Sequence, residues 1–220
     1  MIISLGSDCV VKKRLQEFIW NDNNQISNLF DWVLSDLNAV CHILESLHSH
    51  PNTPFFIPDK LSIITKTIEN KYAVKHNDCY FISLHDASCD LSYSDAKLLI
   101  CDKYNRRIKR FIDLISDVQN QISFVALYDK YNPIQNGVMK INDAHIFRFF
   151  TILSKFNPLN THKLILLTDD ISNLPNSSKY IHRITIVNVK QYIILDDFVS
   201  DWYRFFLDWN KIFSDLHIRA

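Results

Sequence analysis

The sequence predicts an α/β protein with a largely parallel sheet and helices on both faces. Short apolar runs of strand length, MIISL at the start, ISFVAL at 122–127, KLILLT at 163–168 and RITIVNV at 183–189, alternate with segments whose apolar residues recur at helical spacing. Strands alternating with helices imply parallel pairing through crossovers. The run ISFVAL is apolar without alternating, the pattern of a strand buried on both faces. No repeat or low-complexity linker divides the 220 residues, so a single domain over 1–220 is expected.

The elements follow in order. MIISLG reads as a strand that stops at Gly6, and SDCVVKKRLQEFIW as a helix with Val11, Leu15 and Phe18 on one face. Either Ser7 or Asp8 can cap that helix by accepting a hydrogen bond from an amide of its first turn, which contains Cys9. Val33, Leu37, Val40, Leu44 and Leu47, at steps of four and three, predict a second helix, and three prolines make residues 48–60 a loop. The stretch 61–88 reads as β-rich, with Tyr80 to Leu84 its clearest strand and His85-Asp86 at that strand's end. Leu98, Cys101, Tyr104, Ile108, Phe111, Ile115 and Val118 mark one face of a long helix whose charged face includes Arg106, Arg107 and Arg110. DAHIFRFFTILSKF predicts a further helix; Phe198, Trp202, Phe205, Trp209, Ile212 and Leu216 predict a closing one.

Composition narrows the function. At 47% apolar and 22% charged residues the chain is an ordinary globular one able to bury a core. Its 24 basic and 24 acidic residues cancel, leaving no basic field to attract nucleic acid or anionic lipid. The opening lacks a basic leader and no apolar run approaches eighteen residues, so a cytoplasmic protein without membrane insertion is expected. Five cysteines (Cys9, Cys41, Cys79, Cys89, Cys101), odd in number and without a CxxC pair, argue for reduced thiols rather than a disulfide framework or a zinc site. Cys41 and Cys101 fall on apolar helical stripes and read as packing residues.

Chemistry gathers at two places. Gly6-Ser7-Asp8-Cys9 and His85-Asp86 each follow a predicted strand, and in parallel sheets sites collect beyond the carboxyl ends of strands. A cysteine attacks as its thiolate, and the positive end of a helix together with a histidine partner favours that anion. Amides around Ser7 to Cys9 can form an oxyanion hole. Gly6 is one of only two glycines, which fits a turn needing positive φ or close approach of a substrate. The same turn also suits a phosphate- or nucleotide-binding module without chemistry, although no GxGxxG or GxxxxGK[ST] follows it.

Among the histidines, His42, His48 and His50 cluster around a loop, and His145, His162 and His182 stand beside loops or helix starts. His85 is placed to act as the base, with Asp86 able to orient it only where the chain has left the strand. Asp215-Leu216-His217 offers a rival, because SGNH-type hydrolases bring an Asp and a His from that end of the chain, there spaced DxxH rather than DxH.

ISLGSDC, then FDW (Phe30, Asp31, Trp32), then ISLHD, then YNRRIKRF (Tyr104 to Phe111), with a weaker echo in DWYRFFLDWNKIF, resembles a family of mostly bacterial papain-like cysteine peptidases. The resemblance implies Cys9 as nucleophile, His85 as base, and Asp86 and Asp31 as polar partners. Asp31, Trp32 and Arg107 can border the pocket, although capping, packing and a solvated helix face explain them as well. A thiol after the first strand is also similar to SGNH hydrolases and to coenzyme A-binding enzymes of capsule biosynthesis. That likeness implies a three-layer, Rossmann-like or SGNH-like arrangement and keeps open an acyltransferase or esterase of surface polysaccharide. Peptide, glycan and small-molecule substrates all fit a thioester route. No cofactor is expected, save coenzyme A for acyl transfer.

Overall fold

A computed structural model describes residues 1–6, 9–18, 28–128, 143–159, 161–169, 180–193 and 207–217, in a mixed α/β arrangement with two four-stranded sheets. One is parallel. Strands β1 (Ile2–Ser4), β6 (Ser123–Tyr128), β7 (Lys163–Thr168) and β8 (Ile184–Asn188) lie in the order β1-β6-β7-β8, with Ile3 opposite Phe124 and Val125 opposite Ile165. Side chains alternate across a strand, so this sheet feeds two cores. Phe124, Ala126, Leu164 and Leu166 pack with α2 (Leu37–Ser49), α3 (Tyr93–Ser116) and α4 (Asp143–Phe156). Val125, Leu127, Ile165 and Leu167 pack with α1 (Cys9–Phe18) and α5 (Trp209–Asp215). The uninterrupted apolar runs of β6 and β7 are the signature of that two-sided burial.

The second sheet is antiparallel, which corrects the expectation of a largely parallel sheet. Its strands, β2 (Val33–Ser35), β3 (Leu61–Lys66), β4 (Lys71–His76) and β5 (Phe81–Ser88), lie in the order β2-β5-β4-β3. The physical reason is loop length. Residues 67–70 and 77–80 are all that join β3 to β4 and β4 to β5, whereas a parallel crossover needs about a dozen residues.

Several boundaries also move. Val33 belongs to β2 rather than to the second helix, which starts at Leu37 because the Asp36 carboxylate accepts the Ala39 amide and caps it there. Strand β5 runs on to Ser88, so His85 and Asp86 lie inside it and not beyond its end. On α3, capped by Ser92, Tyr104, Ile108, Phe111 and Ile115 are buried as the periodicity predicts, but Leu98 is 50% exposed and Val118 lies past the helix end. Of the closing segment, α5 contains Trp209 and Ile212, while Phe198, Trp202 and Phe205 lie outside the described residues. Cys41 and Cys101 are buried, and burial pushes their thiols up to about 12 and about 11. Among the described residues no helix is long and apolar enough to cross a membrane.

Candidate active site

The turn after β1 is built around Gly6, whose φ of +82° lies in the left-handed region that glycine occupies without strain. A Cβ there would run into Ser35 Oγ and lie 3.3 Å from the Val33 carbonyl oxygen. The space at Gly6 is therefore filled by the protein's own strand β2, and no substrate is needed to explain it. Ser35 Oγ donates to the Leu5 carbonyl at 2.7 Å, fixing β2 across the end of β1. Helix α1 then opens at Cys9, whose main chain begins the first turn; Ser7 and Asp8, expected as caps and oxyanion donors, lie outside the described residues.

One turn beyond Cys9, α1 carries Lys12. Its Nζ lies 2.8 Å from Asp31 Oδ2, and both side chains are fully buried. Asp31 Oδ2 also accepts the Asn28 amide at 2.7 Å, and the Asp31 carbonyl accepts Arg107 Nη1 at 3.1 Å. Phe30 packs edge-on against Phe111 at 5.4 Å, so the Phe30-Asp31-Trp32 segment is held by α1 on one side and α3 on the other. The expectation of a solvated arginine face holds for Arg106 and Arg110 and fails for Arg107, which is buried over the Tyr104 ring. Tyr104, Arg107 and Phe111 recur at three and four residues and share the buried stripe.

The next residue, Trp32, takes φ of +66°, a conformation that costs a bulky side chain about 1–2 kcal/mol. That turn swings its ring to 6.4 Å from the His85 ring, edge to face. His85 Nδ1 lies 2.7 Å from Glu69 Oε2. Its other nitrogen, Nε2, is shielded from solvent and has no hydrogen-bond partner among the described residues. The first helix, the FDW segment and the strand that bears His85 thereby touch one another through Lys12, Asp31 and Trp32.

A family model described as Putative papain-like cysteine peptidase (DUF1796) matches residues 1–170, three quarters of the chain and all of these positions. The chain belongs to that family. No curated protein and no solved structure matches it. In this papain-like cysteine peptidase family member, Cys9, Asp31, His85, Asp86 and Arg107 fall inside the matched residues, whereas Asp215 and His217 fall beyond them.

Asp86 stands next to His85 but is engaged elsewhere. Between the pairs Tyr72–Ala87 and Val74–Ser83, three residues of β5 (Leu84, His85, Asp86) face one of β4 (Ala73), a bulge that re-aims side chains. Asp86 turns toward α3, where it accepts from Ser83 Oγ at 2.6 Å, from Lys103 Nζ and from the Tyr104 hydroxyl. Burial raises the Asp86 carboxyl, but hydrogen bonds from Lys103, Ser83 and Tyr104 outweigh it and hold the group below the usual carboxylate range. The structure thus brings Glu69, and not Asp86, to the His85 ring nitrogen.

Among the described residues no hydrogen bond joins the rival pair, Asp215 and His217. Helix α5 ends at Asp215, whose carboxylate accepts the Tyr192 hydroxyl at 2.9 Å, and His217 follows the helix, exposed, with φ of +52°. The remaining histidines are packed or peripheral. His162 is fully buried, with Nδ1 accepting the Ile122 amide at 3.3 Å. His76, which the sequence reading passes over, stacks on Phe55 at 4.6 Å and lies 3.6 Å from Cys79 Sγ. Burial lowers the His76 pKa and pushes the Cys79 thiol up to about 12, so burial disfavours the charged form of both. Among the described residues no three His, Cys, Asp or Glu side chains gather to hold a metal ion.

Sequence reasoning misses Lys12 and Glu69. Lys12 stands in a KKR run, and no local pattern sets it apart from Lys13 and Arg14. Glu69 lies in a hairpin loop with no local motif at all.

Proposed function

We propose that the chain is a cysteine-nucleophile hydrolase in which Cys9 attacks a carbonyl carbon and His85 moves the proton. The observation that carries this reading is the state of His85: one ring nitrogen is held by a carboxylate, and the other is shielded from water with no hydrogen-bond partner among the described residues. A base is arranged in that way when its open nitrogen serves a reacting group.

Chemically, His85 Nε2 takes the Cys9 proton and the sulfur attacks the carbonyl carbon, forming a C–S bond and an oxyanion that helix-start amides stabilise. Collapse breaks the bond to the leaving amine or alkoxide, which receives the proton from the imidazolium. Water, deprotonated by His85, then attacks the thioester, releasing a carboxylate and restoring the thiol. Replacing water by the thiol of coenzyme A or a sugar hydroxyl turns the same route into acyl transfer. Peptides, glycan esters and small acyl compounds are the substrate classes that fit it. The two-sided burial of the parallel sheet supports a three-layer, SGNH-like arrangement around this nucleophile.

The test is thiol footprinting. At neutral pH iodoacetamide labels Cys9 at least tenfold faster than Cys41, Cys79 or Cys101, whose thiols burial holds protonated. His85→Ala slows Cys9 alone. Slow labelling of Cys9, at the rate of those buried thiols and indifferent to His85, overturns the proposal.

A further inference from the structure

We infer that Glu69 is the positioning carboxylate of this site, holding the proton of His85 on Nδ1 so that Nε2 presents its lone pair to the nucleophile. The inference rests on the Cys9–His85 reading above. An ionised carboxylate only accepts hydrogen bonds, and a neutral imidazole carries one N–H and one bare nitrogen. In the neutral ring, the 2.7 Å contact with Glu69 Oε2 makes Nδ1 the donor and leaves Nε2 the acceptor.

The main chain prepares this contact. Glu69 lies in the hairpin loop between β3 and β4, where the Thr67 amide donates to the Lys71 carbonyl at 2.7 Å and the Asn70 amide to the Thr67 carbonyl at 3.2 Å. Thr67 Oγ1 accepts the Lys71 amide at 3.2 Å, and Asn70 takes the left-handed φ of +54° that closes the loop. The Asn70 carbonyl accepts the Cys89 amide at 3.1 Å, tying the loop to the end of the strand that bears His85. On the His85 side the bulge in β5 sends Asp86 to α3 and leaves His85 facing the hairpin. The Trp32 ring stands edge to face with the imidazole at 6.4 Å. A chance surface ion pair has no reason to carry a fixed loop, a bulge and an aromatic wall around one imidazole.

Glu69 is 57% exposed and the His85 side chain 30%, so solvent screens the charge attraction and the contribution is mainly to tautomer and ring orientation. Glu69→Ala is expected to slow Cys9 alkylation about fivefold, the scale of one partly exposed hydrogen bond. Glu69→Gln keeps an acceptor oxygen and recovers most of the rate.

Nitrogen NMR of the imidazole supplies the reading that a merely structural role leaves unmoved. In the wild-type protein and in Glu69→Gln the neutral His85 ring shows its proton on Nδ1; in Glu69→Ala the proton redistributes toward Nε2. If Glu69→Ala changes neither the tautomer nor the alkylation rate while His85→Ala still slows Cys9, Glu69 has no such role and the Cys9–His85 reading survives. If His85→Ala itself leaves Cys9 unaffected, the base is lost and the role of Glu69 falls with it.

Discussion

Replacing Lys12 by methionine is expected to cost the fold about 3–5 kcal/mol, the scale measured when one partner of a buried ion pair is removed. The structure sets that magnitude. Lys12 Nζ and Asp31 Oδ2 are 2.8 Å apart with both side chains at 0% exposure, and the attraction at that distance is about 6 kcal/mol for an effective dielectric constant near 20. Without Lys12 the Asp31 carboxylate keeps the Asn28 amide on Oδ2, and Oδ1 already lacks a hydrogen-bond partner among the described residues. A charge so placed is largely uncompensated. Adding Asp31→Leu removes it, and pairs replaced on both sides are often close to neutral, so the double variant should recover at least about half of the loss. Urea unfolding followed by circular dichroism measures this as a shift in midpoint at unchanged slope. A Lys12→Met variant that loses less than about 1 kcal/mol, or a double variant no better than the single one, would refute the reasoning.

Three further outcomes follow from the same geometry. Gly6→Ala combines a left-handed φ with a clash at Ser35 Oγ and should destabilise by about 2 kcal/mol or more in thermal unfolding, with Ser35→Gly on top recovering part of it. Asp86 has a folded pKa below its unfolded value of 3.8, so its contribution is full above that value and is lost as pH falls through the folded pKa; Asp86→Asn should flatten the acid limb of the stability profile and leave less stability at pH 7. Trp32→Gly relieves the left-handed backbone at φ of +66° that Trp32→Ala keeps, so the glycine variant should be the more stable by about 1 kcal/mol. Both remove the ring beside His85 and should slow Cys9 alkylation.

Periodicity made the parallel sheet legible, because Leu164, Ile165, Leu166 and Leu167 form an unbroken apolar run whose alternate residues enter the two cores. The antiparallel sheet was harder to read. Val33 continues the helical step pattern of Leu37 and Val40, yet the Asp36 cap, visible only as one acidic residue among many, decides where the helix starts. The placement of His85 and Asp86 turned on a bulge, and the register that creates it is set by pairing with the neighbouring strand β4 rather than by the local sequence of β5. Arg107 was hidden by its neighbours: in a run of charged residues, only the stripe shared with Tyr104 and Phe111 marks it as buried. Glu69 reaches His85 through tertiary structure alone, so no local pattern announces it. Gly6 was the clearest signal, since a glycine in a chain with two of them has a reason to be there, and its φ is positive as the turn required.

A covalent intermediate offers the sharpest check on the nucleophile. The protein is mixed with an activated acyl ester, quenched in acid within the first turnover and digested for mass spectrometry. The expected result is an acyl group on the peptide containing Cys9, cleaved by hydroxylamine as a thioester is, absent from Cys9→Ala and slow to form in His85→Ala. Acylation on another residue, or turnover undiminished in Cys9→Ala, would contradict the account.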